Sequence, residues 1–291
     1  MQPTGHPARG TRRPSKLWTL PPLIVLGLVF LYPLALIVGQ AFHPGDADQG
    51  LIFGNFNRIL KSSLFQNALL HTLEISIASS LGCLLLGTLL ALCISFVPFR
   101  GSILLARLID TYIALPTFLL TLAFTFIYGS AGILNGVLIN VLNLSEPPVN
   151  FLYSQAGVIL AEITAFTPFV LRPLLATFSQ FEISQIEIAS SLGAKPWQIV
   201  RSIILPAALP ALLAGGSLCL LLTVNEFGIV LFIGAKGVIT LPLLVYGKAI
   251  QEGDYVAACT IATVNILISL ALYSLYNSVV GRLGNEHVDM V

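Results

Sequence analysis

Five stretches of this chain run for at least 18 residues without an aspartate, glutamate, lysine or arginine: Leu17 to Phe42, Ile75 to Phe99, Thr111 to Tyr128, Ser202 to Asn225 and Tyr255 to Gly281. A helix crosses a hydrocarbon layer with about 20 consecutive apolar residues, so each run is long enough to span. A sixth stretch, Gln155 to Phe178, has the same length but includes Glu162 and Arg172. Six spanning helices are therefore expected. Charged residues make up 9% of the 291 residues against 56% hydrophobic, whereas a soluble domain carries about 25% charged. The spans and their connections consume the chain and leave no room for a large soluble domain. The expected fold class is an all-α integral membrane protein.

Orientation follows from lysine and arginine in the flanks, which resist translocation. With the N-terminus inside, the inner segments hold Arg9, Arg12, Arg13, Lys16, Arg100, Arg107, Arg172, Lys195, Arg201 and Arg282, ten of the fourteen basic residues, and the outer ones hold Arg58, Lys61, Lys236 and Lys248. This bias puts both termini in the cytoplasm. The first run is preceded by a basic arm, as a secretory signal would be. Its uncharged length of 26 residues exceeds the roughly 7–15 residues of a signal core, and no A-x-A cleavage site follows, so it reads as a retained span.

Several function classes are disfavoured. The net charge of +1 and the absence of a basic domain give no reason to expect nucleic acid as a partner. Cys83, Cys93, Cys219 and Cys259 lie inside apolar stretches and read as small buried hydrophobes. His6, His43, His71 and His287 are scattered, so no metal site is expected. No clustered nucleophile or acid/base pair suggests a catalytic centre. A G-x4-G-K-[ST] phosphate loop is also missing, so the chain has no such route to ATP of its own.

The segment between the fourth and fifth spans, 179–206, has a different character. Ser184-Gln185-Ile186-Glu187 reads as an S-x-x-E capping box that starts a helix near Gln185. Gly193 suits the left-handed position just past its end. Lys195-Pro196 restarts a second helix with proline in the first turn, running through Trp197, Ile199, Val200 and Ile203 to Pro206. Ala189, Ser190 and Ser191 are small enough to let another backbone approach. Such an element is either a connector packed on its own spans or a docking element for a soluble partner.

The residues carry a resemblance. Glu187-Ile188-Ala189, then Gly193, then Ile203, Leu205 and Pro206 resemble the EAA loop of ABC importer permeases, E-A-A-x3-G-x9-I-x-L-P, with Ile188 in place of the first alanine. The likeness extends from about Trp18 to Tyr276, through Asp110 to Thr117, Phe126 to Asn135, Ala161 to Thr164, Asn225 to Gly237 and Thr240 to Tyr246. In these stretches the chain looks most like permeases of 2-aminoethylphosphonate importers. Permeases for polyamines, ferric iron and sulfate share the fold and the loop but are less similar there.

The resemblance implies a type I ABC importer permease of MetI-like architecture. It implies a cytoplasmic arm over 1–16, a permease domain over 17–282 with its coupling loop at 179–206, and a cytoplasmic tail over 283–291. Glu187, Ala189, Gly193, Ile203, Leu205 and Pro206 inherit the ATPase-coupling role. The implied partners are a dimer of ATP-binding subunits that hold ATP and Mg, a second permease subunit, sibling or identical, and a periplasmic substrate-binding protein. The implied location is the bacterial inner membrane.

Charge within a span costs at least ~2.5 kcal/mol on insertion scales. Glu162, Asn225 and Glu226 are thus candidates for a polar patch on the outer half of a pathway, as a gate held by hydrogen bonds between helices or a weak station for an ammonium group. Pro116, Pro168 and Pro173 interrupt their helices' ladders. Gly132 to Gly136 reads as part of an outer re-entrant or amphipathic segment. A proton- or sodium-driven carrier would use Glu162 and Glu226 as ion sites, but it requires internal repeats with broken helices, and the two halves show no convincing repeat.

Overall fold

Backbone amides and carbonyls in hydrocarbon need partners within the protein, which favours long helices over any open arrangement. The computed structural model describes residues 20–43, 54–97, 101–147, 154–234 and 237–288. All regular structure among them is helical: α1 (Leu20–Ala41), α2 (Gly54–Leu60), α3 (Ser63–Phe96), α4 (Ser102–Ile113), α5 (Thr117–Tyr128), α6 (Ile133–Leu142), α7 (Gln155–Phe178), α8 (Ile183–Ser191), α9 (Pro196–Val224), α10 (Gly228–Ile233), α11 (Leu241–Tyr246) and α12 (Tyr255–Val288). Six segments are long and apolar enough to cross a membrane: α1, α3, α5 with α6, α7, α9 and residues Tyr255–Ser278 of α12. The expected arm over 1–16 lies outside the described residues, as does the end of the tail.

The central layer is α3, α7 and α9, with α12 and α1 packed beside it and α5 and α10 on the opposite flank. Its core is Ile75 and Cys83 of α3, Val158, Ala165, Val170 and Leu174 of α7, and Ala208, Ala211 and Cys219 of α9. Small residues at these crossings let the helices approach closely, which is how spans associate without a water-driven hydrophobic effect. Gly216 of α9 is such a position: a Cβ there would overlap the Tyr276 ring and hydroxyl, and that hydroxyl donates to the Leu212 carbonyl at 2.7 Å. Cys83 and Cys219 are buried as expected, but Cys93 is exposed and Cys259 half-buried.

Prolines are absorbed rather than obeyed as stops. Pro168 and Pro173 lie inside an unbroken α7. Pro168 has no N–H to give the Thr164 carbonyl, and the Tyr112 hydroxyl donates to that carbonyl instead at 3.1 Å. The π turns at Gly27–Leu31 and Val200–Ile204 immediately precede helical segments with Pro33 and Pro206 in their first turns. A wider turn there accommodates the bond that proline cannot make. The third span departs from the sequence reading. Pro116 ends the preceding turn, so α4 is a separate helix, and the span begins at Thr117 and reaches Leu142 across a short break at Gly129. The segment around Gly136 is helical within α6, where buried Asn135 donates to the Gly129 carbonyl at 2.8 Å.

One end of the bundle carries the loop between α7 and α9. At the far end, residues before α11 are tied to α3: Leu241 N–H donates to Thr72 Oγ1 at 2.8 Å, and His71 Nδ1 lies 3.3 Å from the Ile239 carbonyl.

Candidate functional site: the loop between the fourth and fifth spans

Aromatic rings fix where the loop leaves the bundle. Phe96 at the end of α3 meets Phe178 at the end of α7 (5.2 Å between centroids) and Phe181 edge-on (6.1 Å). The chain then turns directly into α8 at Ile183, with Glu182 in the N-cap position and no side-chain cap. The capping box expected from Ser184 and Glu187 does not form. Ser184 already sits inside the helix, because anchoring of Phe181 and Ile186 on the core starts the helix ahead of the serine. Glu187 is consequently exposed and has no hydrogen-bond or ion-pair partner among the described residues.

The end of α8 is built as the sequence suggests. Gly193 has φ +84°, its N–H donates to the Ser190 carbonyl and that of Ala194 to the Ala189 carbonyl, both at 3.0 Å. These are the two bonds of a Schellman turn, with glycine in the left-handed position. Pro196 opens the next helix, and Gln198 Oε1 accepts the Lys195 amide at 2.7 Å. The second helix does not stop at Pro206. It continues through the π turn into the fifth span as one 29-residue segment, Pro196–Val224.

The two faces of this element differ sharply. Ile186, Ala189, Ala194, Val200 and Ile203 pack against the core, and Ile199 and Ile204 are buried in it. Ala189 therefore faces the protein's own spans rather than outward. Leu205 and Pro206 are half-buried. On the other side stand Ile183 (64% exposed), Ile188 (62%), Leu192 (83%) and Trp197 (67%). Sequence reading placed Ile188 and Trp197 on the two helices but gave none of these four apolar residues a contact role. Their grouping on a loop beyond the ends of the spans is the signal.

The intramembrane candidates separate. Glu162 is fully buried, and neither carboxyl oxygen has a hydrogen-bond partner among the described residues. The interhelical bond expected of it is not formed. The nearby Ser79 hydroxyl is likewise without a partner at hydrogen-bonding distance. Asn225 is turned toward α12: its Nδ2 donates to the Leu221 carbonyl at 2.8 Å and to Ser269 Oγ at 3.3 Å, and its Oδ1 accepts from Asn265 at 3.0 Å. Glu226 caps α10, its Oε1 accepting the Ile229 amide at 2.9 Å. Adjacent in sequence, Asn225 and Glu226 thus serve different helices.

Six apolar spans around a small-residue core, with an exposed two-helix element between the fourth and fifth, make up a multi-pass membrane subunit. Residues 83–285 match the family described as binding-protein-dependent transport system inner membrane component, and the chain belongs to that family. It is 58% identical over 268 residues, 92% of this chain and 93% of the other, to a Salmonella typhimurium protein named as a 2-aminoethylphosphonate transport system permease, PhnU. It is 28% identical over 270 residues to the sulfate transport system permease CysT of Escherichia coli, covering 91% of this chain and 92% of that one. Among solved structures, a chain of a bacterial ABC transporter that imports alginate superposes with TM-score 0.78 at 21% identity, over 91% of this chain and 94% of that one. A chain of the inward-facing methionine transporter MetNI gives 0.56 at 16% identity, over 75% and 95%. At these identities the structures show the shared fold. The protein is a multi-pass inner-membrane permease subunit, and ATP hydrolysis belongs to a separate subunit.

Proposed function

We propose that the chain carries 2-aminoethylphosphonate across the inner membrane, with residues 183–206 as the element that receives the push of the ATP-binding subunits. The observation that carries this reading is the exposed row Ile183, Ile188, Leu192 and Trp197 on an element whose other face is rooted in the α3, α7 and α9 core. Exposed apolar side chains grouped beyond the ends of the spans mark a protein contact, and their rooted backs make the element a stiff lever. Glu187 stands on the exposed side without a partner among the described residues, available to a basic group. The 58% identity to PhnU supports the substrate.

In this reading the loop end is cytoplasmic, as are both termini, in keeping with the basic flanks. A dimer of ATP-binding subunits, holding ATP and Mg, seats on residues 183–206 of this chain and on the equivalent part of a second permease subunit, sibling or identical. A periplasmic binding protein delivers substrate at the far end. Closure of the ATPases moves α8 and, through the continuous Pro196–Val224 helix, the pathway-side end of the fifth span. Asn225, at that helix's end, is exposed and belongs to the pathway; Glu226 holds α10 against it. Glu162 has no opening to substrate within the chain and serves packing.

The test is ATPase activity of the assembled importer in proteoliposomes with its binding protein presented empty or with 2-aminoethylphosphonate, phosphate, sulfate or a polyamine. Stimulation by the 2-aminoethylphosphonate-loaded form is expected. Stimulation only with sulfate or a polyamine would overturn the substrate.

A further inference from the structure

At the far end of the bundle, α2, the start of α3, the turn after α11 and the start of α12 line an open cavity of about 260 Å³, with Arg58 exposed at its wall, that the transport reading does not use. Its polar wall is Arg58, Ser62, Lys248 and Asp254, and its floor includes Phe65 and Ile261. One guanidinium nitrogen of Arg58 donates to Asn55 Oδ1 at 3.0 Å. Its other N–H groups have no partner among the described residues. Ser62 caps α3, its Oγ accepting the Phe65 amide at 3.2 Å, so the positive end of a 34-residue helix opens on the same space. Lys248 pairs with Glu252. Asp254 Oδ1 accepts the Ala257 amide at 3.0 Å, which caps α12, and the residue lines the cavity.

The cavity therefore has two poles. Arg58 and a helix N-terminus favour a tetrahedral oxyanion, for which a guanidinium fork is well shaped, while the charge of Lys248 is already met by Glu252. Asp254, on the same wall, favours a cation. A simple anion would meet Asp254 unfavourably, and a simple cation would meet Arg58. A short molecule with a phosphate-type group at one end and a primary ammonium at the other satisfies both. The volume is many times what one water needs, and the apolar floor suits methylene carbons.

We propose that this cavity binds an aminoethyl phosphate or phosphonate zwitterion. That chemistry has two sources at a membrane surface, free 2-aminoethylphosphonate and the headgroup of phosphatidylethanolamine, and basic pockets beside spans are a known form of headgroup site.

The experiment uses the assembled importer without its binding protein, as wild type, Arg58→Gln and Asp254→Asn. Asparagine caps a helix as well as aspartate does, so the second variant removes charge and keeps the start of α12. In phosphatidylcholine nanodiscs, titration calorimetry with 2-aminoethylphosphonate reads the free source. Native mass spectrometry of detergent-released complex reads retention of phosphatidylethanolamine against phosphatidylglycerol. At least one source is expected to bind wild type, with at least a tenfold loss in each variant and preference over inorganic phosphate or phosphatidylglycerol. Equal binding of phosphate or phosphatidylglycerol overturns the zwitterion assignment, and binding by neither source, or binding untouched by both variants, overturns the site. Stimulation of ATPase by loaded binding protein is measured alongside, so failure of this site is distinguishable from failure of the transport reading.

Discussion

Gly193 separates a turn that is needed for conformation from a surface that is needed for contact. Its φ of +84° is a region where an ordinary L residue costs roughly 1–2 kcal/mol, and asparagine less because its side chain is tolerated there. A Cβ built at Gly193 meets no atom of the chain within 4 Å, so steric conflict inside the protein adds nothing to that cost. The turn's two 3.0 Å bonds, Gly193 to Ser190 and Ala194 to Ala189, survive an Asn substitution. Gly193→Asn should therefore reach the membrane at the wild-type level with a melting temperature only slightly lowered. If an ATP-binding subunit lies against this surface, the added amide stands where its backbone comes closest. Stimulated ATPase activity should fall at least tenfold, about 1.4 kcal/mol of lost coupling, and Gly193→Asp should fall further. The assay is binding-protein-stimulated ATPase of the purified complex beside its melting curve. Normal stimulation in Gly193→Asn would refute the contact and leave the glycine a purely conformational role.

Other positions give independent tests. Leu192→Ser removes an exposed side chain, so the protein's melting temperature should hold, as surface changes stay within about 0.5 kcal/mol, while association with the ATP-binding subunit in a pull-down weakens; the same change at buried Leu174 should instead lower the melting temperature. Glu162→Leu replaces a buried carboxyl that has no hydrogen-bond partner among the described residues, so the change should be close to neutral; a clear fall in melting temperature would reveal a partner for it, with Ser79 beside it the first candidate. Uptake by Glu162→Gln should stay within twofold of wild type, and a tenfold loss would place the carboxyl in the pathway. Gly216→Ala forces Tyr276 off the Leu212 carbonyl and should cost about 1–3 kcal/mol as overpacking does; Tyr276→Ala in the same chain should restore part of it, and additive losses would contradict the contact.

Much of the fold is legible in the sequence because membrane insertion writes its constraint in one dimension. An uncharged run must be a helix of known length, and Gln155 to Phe178 matches its helix end to end. The turn at Gly193 is equally plain, since the need for glycine at a positive φ is local. Features set by packing in three dimensions were not readable. Ser184 and Glu187 satisfy the capping pattern, yet anchoring of Phe181 on Phe96 moves the start of the helix and the box never closes. Pro168 looks like a breaker until Tyr112, 52 residues before the Thr164 carbonyl that the proline leaves unpaired, supplies the missing bond. Ala189 reads as a contact residue for a partner and is instead packed on the core. The exposed apolar face lies with Ile188, Leu192 and Trp197, set apart from span residues only by their grouping on a loop beyond the ends of the spans. Asn225 and Glu226 look like one patch because they are neighbours, but α9 ends at Val224 just before them and the chain then sends each to a different element.

The central claim is that the element at 183–206 bears on the ATP-binding subunit. Disulfide or short bifunctional cross-linking from Leu192→Cys tests it most directly, with Leu218→Cys, exposed on the side of the fifth span, as the comparison and cysteines placed over the ATPase surface. The account predicts a cross-link from position 192 whose yield changes with ATP, and none from position 218. Absence of any cross-link from 192 in an importer that still hydrolyses ATP on demand would contradict it.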